Sequence, residues 1–65
     1  MNNHPFKRDF PLTAGTPVLV TGRPSRPGVV LSLREDGPTE GHRLYDVRLP
    51  GVGTALVHGD LLVLR

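Results

Sequence analysis

"RLYDVRLPGVGTALVHGDLLVL", Arg43 to Leu64, is the stretch whose reading decides the fold. Apolar and polar residues alternate through Leu44–Leu49, the alternation stops at Pro50-Gly51, resumes at Thr54, and ends in a leucine-rich tail. A period of two marks a strand with one face against a core. Glycine at 51 suits a tight turn, either as the first central residue of a type II′ turn or behind Pro50 in a type II turn. The stretch therefore predicts an antiparallel hairpin with strands at 43–49 and 54–59. One turn of 3₁₀ helix and a brief last strand follow within 59–65.

Toward the N-terminus, "VVLSLR" (29–34) and "TPVLVT" (16–21) read as two further β-branched strands, the second bounded by Gly15 and Gly22. Between them "RPSRPG" (23–28) reads as a loop, because two prolines and a glycine interrupt a ladder. "EDGPTEGH" (35–42) reads as a polar loop in which solvent accounts for the carboxylates of Glu35, Asp36 and Glu40. Seven prolines and eight glycines spread along the chain argue against any helix of normal length. Residues 1–14 carry no sustained periodicity and form a flexible N-terminal arm, in which Phe6, Phe10 or Leu12 either plugs one end of the fold or serves a partner as a linear motif. Residues 15–65 form the single domain.

The strands also suggest a register. Pairing Leu33 with Tyr45, Leu31 with Val47 and Val29 with Leu49 makes one phase entirely apolar. Continuing around the turn sets Leu49 against Thr54, Val47 against Leu56, and Tyr45 against His58. The expected core is thus Val29, Leu31, Leu33, Tyr45, Val47, Leu49 and Leu56, with Val30, Leu44, Ala55 and Val57 on the other face. Such a face is either drawn in by strong bending of the sheet or covered by another chain.

A chain of 65 residues buries only about 60% of its unfolded surface. It has no cysteine to staple it, which raises the value of a partner or of self-association. No apolar run approaches the roughly 18 residues of a membrane span. The expectation is a soluble, cytoplasmic protein with no membrane contact. The net charge is +2 and the pI about 9.9, with Lys7 the single lysine, so arginine supplies nearly all the cations. Its planar fork fits carboxylate and phosphate alike.

Catalytic signatures are lacking. Ser25, Ser32, Thr39 and Thr54 stand in no nucleophile motif. "PGVG" has no helix behind it to cradle a phosphate. His58 and Asp60 have no third ligand nearby, so neither metal nor cofactor is expected. His58 is expected instead to cap the core beside Tyr45, with its polar edge in solvent. With Tyr45 in the core, no other aromatic residue of the domain is left to build a cage for a methylated side chain or to stack on bases. The remaining signal is arginine: Arg23 and Arg26 beside Pro24 and Pro27, and Arg48 on the outer strand face. Convergence of these three would neutralise backbone phosphates without reading bases.

Gly15 to Val20, "GVVLSL" from Gly28, "YDVRLPG" from Tyr45 and "VHGDLLVL" from Val57 together resemble SH3-like barrels of the Tudor-like and KOW-like kind. There a "G-V-V" strand follows a loop and a "Y-x-V-x-L" strand precedes a glycine turn. The resemblance covers residues 15–65 and implies an all-β, five-stranded SH3-like barrel. The layout also resembles, more weakly, the type II plasmid-encoded dihydrofolate reductases, self-associated pores of such barrels. The Gln-Ile-Tyr run that binds ligands in that family is replaced here by Leu56, Val57 and His58, so no site residue carries over. The leading expectation is a non-catalytic module that binds another protein or itself through Arg23, Arg26, Arg48, Val30 and Val57. Sequence-independent nucleic-acid binding through the arginines is the alternative, and a small oligomeric pore enzyme the second.

Overall fold

The computed structural model describes residues 10–65, so the first nine residues of the expected arm, Phe6 among them, lie outside the described part. Five strands follow in order: β1 Pro17–Val20, β2 Arg26–Glu35, β3 Leu44–Leu49, β4 Gly53–His58 and β5 Leu62–Leu64. Two 3₁₀ turns, Glu40–His42 and Gly59–Leu61, precede β3 and β5. The strands make one antiparallel sheet in the order β4-β3-β2-β1-β5. The expected all-β, five-stranded architecture is therefore observed, and the second 3₁₀ turn lies where the sequence placed one. None of the described residues forms a helix long and apolar enough to cross a membrane.

The core draws on every strand: Val18, Val30, Tyr45, Val47, Leu49, Val57 and Leu62. For both edge strands to reach one core the sheet must curl, and β2 is where it does so. Its first half pairs with β1 and its second half with β3. Strand β2 also begins earlier than expected, at Arg26, and runs through Pro27 and Gly28. A proline is tolerated there because of the ladder's alternation. Val30 donates its N–H to Thr16 O and accepts from Gly15 N–H, so even-numbered residues of this half point toward β1. Pro27 points the other way, past the end of β3, where no donor is needed.

Two irregularities rewrite the core. Val30 pairs with Val47 and Ser32 with Asp46, which leaves Leu31 unopposed in a β-bulge. Leu33 does face Tyr45, as expected. Upstream of the bulge, however, the phase is reversed: Val30 is fully buried, Val29 faces outward opposite Arg48, and Leu31 is 42% exposed. The hairpin is also one residue shorter than expected. Val52 donates to Leu49 O, Gly51 takes the positive φ of +79° that a type II turn requires, and Leu49 pairs with Gly53 instead of Thr54. That slip puts Val57 opposite Tyr45 and turns Leu56 out to 56% exposure.

A buried polar cluster closes one end of the sheet. Glu40, expected in solvent, is only 2% exposed and accepts from Arg43 Nη1 at 2.7 Å and from the Tyr45 hydroxyl at 2.9 Å. Arg43 also donates through Nε to Asp36 Oδ1 at 3.0 Å. The Tyr45 oxygen in turn accepts the Leu12 N–H at 3.0 Å, which docks the end of the arm and packs Leu12 against the core. Burial pushes the ionisation of this phenol above its usual range. Phe10, by contrast, is exposed.

Candidate protein-binding surface

The outer face of β2, β3 and β4 carries the side chains that alternation sends away from the core: Ser32 and Arg34, Asp46 and Arg48, Thr54 and Leu56. Its centre is an ion pair. Arg34, unopposed at the second irregularity of β2, reaches over to Asp46 with Nε at 3.0 Å and Nη2 at 3.1 Å, and Ser32 Oγ adds a third bond at 2.9 Å. The Arg34 guanidinium, helped by Ser32, holds the Asp46 carboxyl below the usual carboxylate range. At Asp36 the Gly37 N–H acts first and Arg43 second, in the same direction.

A group whose folded-state pKa is depressed stabilises the fold above its unfolded pKa, and that contribution is lost as pH falls through the folded value. Stability is therefore expected to hold near neutrality and to decline on acidification below the ordinary carboxylate value of about 4. Urea titrations at stepped pH read this directly. Asp46→Asn should flatten part of the acid slope. An unchanged slope would show that the Arg34 pair, half in solvent, contributes nothing.

Beside this ion pair lies a groove of about 290 Å³ between Leu31 on the bulge and the turn Pro50–Gly53, with Arg48, Leu49 and Thr54 completing its lining. Leu31 and Val52, 42% and 63% exposed, give it apolar flanks. Among the described residues Arg48 has no ion pair, whereas Arg34 and Arg43 are both engaged. The groove thus joins apolar surface to an unneutralised guanidinium.

The residues singled out from the sequence fare differently. Arg48 is exposed on the outer face, as expected. Val30 and Val57, expected beside it, are buried in the core; the bulge at Leu31 and the shortened hairpin exchanged the two phases. Arg23 is exposed in the β1–β2 connection, and Arg26 opens β2 opposite Val20. Alternation puts Arg26 and the outward row Val29–Arg48 on opposite faces of the sheet, so the two arginines are not brought together. Arg48 instead shares a cross-strand row with Arg65, whose N–H bonds Pro17 O opposite Val29. Those two cations stand three strand widths apart, roughly 14 Å along the sheet. His58 does not cap the core: it is exposed, pairs with Leu44 and holds Gly41 O through Nδ1 at 3.2 Å.

Leu31, Val52 and Leu56 are the surface residues that sequence reasoning missed. Leu31 and Leu56 each fit an apolar alternation one register away from the real one, so no local signal separated them from core residues. No protein-family model, curated protein or solved structure matches the chain.

Proposed function

We propose that the protein is a non-catalytic binding module, an SH3-like barrel of the Tudor-like or KOW-like kind working in the cytoplasm, that captures another protein through the groove beside Arg48. The observation that carries this reading is the exposed apolar pair Leu31 and Val52 flanking an arginine without an ion pair among the described residues. Arginine is enriched where proteins meet, and lysine, which the domain lacks, is depleted there. The complementary partner carries an apolar side chain for the groove and a carboxylate for Arg48, which would accept the planar guanidinium in a two-pronged bond.

The test is affinity capture with the full chain and three variants. Wild type and Arg23→Glu are expected to retain the same partner. Arg48→Glu and Leu31→Asp are expected to weaken its binding by at least roughly tenfold, the effect of losing a central arginine or apolar anchor. A partner indifferent to both outer-face variants would overturn the assignment. Nucleic-acid binding gives a different result: amide shifts around Arg23, Arg26 and Arg48 on adding duplex, abolished by moderate salt. It draws less support, because Arg26 and Arg48 lie on opposite faces.

A further inference from the structure

Beyond this groove, we infer that the open edge of β4 pairs with the β4 edge of a second copy of the chain, joining two sheets into one across a two-fold axis at Leu56. The sheet order makes β4 and β5 the two edges. Alternation fixes which backbone groups β4 leaves open. Val30 bonds toward β1, so Val29 and its partner Arg48 bond across the β2–β3 seam. Leu49, Val47 and Tyr45 then bond across to Gly53, Ala55 and Val57, which is consistent with the Val52 N–H bond to Leu49 O. The N–H and C=O groups of Thr54 and Leu56, and the N–H of His58, consequently point away from β3, while the His58 C=O caps the turn Gly59–Leu61.

Natural edges are blunted by shortness, by lysine, by proline or by a bulge. Strand β5 is short, at three residues. Strand β4 has six residues, no proline, no charged side chain and an unbroken register with β3. Its outward side chains are Thr54, Leu56 and His58, and Leu56 is 56% exposed with no apolar partner of its own on β3, where Asp46 stands opposite.

The strand is complementary to itself when it meets a copy antiparallel at Leu56. Thr54 then faces His58 of the partner subunit, Leu56 faces Leu56 of the partner subunit, and the backbone groups of Thr54 and Leu56 and the His58 N–H all find partners. Charge decides between this occupant and a charged extended peptide. No like charges meet on the new seam, and the nearest carboxylate, Asp46, is already neutralised by Arg34. Isologous two-fold pairing is also the commonest way for a chain to close an assembly.

Sedimentation of the full chain from micromolar to millimolar concentration tests this, read together with amide hydrogen exchange. The expected mass rises toward twice 7.1 kDa, and the amides of Thr54, Leu56 and His58 gain protection with concentration. Leu56→Lys opposes two ammonium groups at the axis and should raise the dimer dissociation constant at least roughly tenfold. Thr54→Lys is the second variant should the first misfold. Leu31→Asp, two strands away, should leave the dimer intact while weakening capture in the groove. A chain monomeric at millimolar concentration overturns the inference. So does a dimer that both lysine variants leave unchanged with the three amides unprotected.

Discussion

Glu40→Ala is expected to leave the chain largely unfolded at 25 °C. The carboxylate is 2% exposed and accepts hydrogen bonds from both the Arg43 guanidinium and the Tyr45 hydroxyl. Removing it takes the acceptor from the Tyr45 hydroxyl and from Arg43 Nη1 in a buried place, and leaves the guanidinium to the exposed Asp36. Breaking a buried pair from one side costs about 3–5 kcal/mol. A single core in a chain of this length supplies only about 3–5 kcal/mol in total. The loss therefore matches the whole stability of the domain. It also reaches further than the 3₁₀ turn, since the Tyr45 oxygen that Glu40 orients is the acceptor holding the Leu12 N–H. Gly59 packs on the same carboxylate: a Cβ there would collide with Glu40 Oε2 and stand 2.9 Å from Tyr45 Cε2. Far-ultraviolet dichroism and a thermal melt give the readout. Glu40→Gln keeps the shape and one acceptor, and should fold with a lowered midpoint. A cooperative wild-type melt for the alanine variant would show that the cluster only decorates the fold.

How far the sequence revealed this molecule depends on the range of the forces involved. The existence of all five strands was legible from β-branched runs, alternation and turn residues, and the Gly59 turn from its place after an alternating segment. Tyr45, Val47 and Leu49 were legible as core because one strand's alternation is a local property. Which face of β2 and β4 is dry was not legible, since it depends on one unopposed residue at 31 and on whether the hairpin loop holds three residues or four. A one-residue difference moves every side chain on the strand to the other face. That is why Val30 and Val57 were expected outside and Leu31 and Leu56 inside. Arg48 escaped the error, because β3 is the strand whose phase was never in question. Glu40 was missed for another reason. Its setting, Gly37 to His42, has the composition of a solvated loop. The only trace of its role is an acid followed three residues later by an arginine and five later by a tyrosine, a spacing that becomes meaningful once a 3₁₀ turn brings the three together.

Gly28→Val should lower stability by about 1–3 kcal/mol, the usual cost of forcing extra volume into a filled core, and so bring the domain close to its unfolding threshold at 25 °C. Gly28 lies where β2 turns from β1 toward β3, and the curl of the sheet brings the two backbones into contact there. A Cβ at this position would stand 2.8 Å from Val47 Cγ1, 3.0 Å from Arg48 O and 3.1 Å from Leu49 Cδ2. Of these, the carbonyl is main chain and belongs to the β3 ladder, so it cannot swing aside. Val47 is fully buried, and a close-packed interior leaves a side chain little room to shift. Relief requires β2 to flatten, and flattening draws Val18 and Val30 away from Val57 on the far edge of the core. Gly22→Ala is the matched control. Its Cβ would approach only Pro24 O, at 3.4 Å, and should cost little. Urea midpoints for the two variants separate steric crowding at the bend from the general entropic gain of replacing glycine. If Gly28→Val unfolds no earlier than Gly22→Ala, then the sheet does not owe its curl to a missing side chain at 28. The outward display of Leu31 and Arg48, which depends on that curvature, would then need another cause.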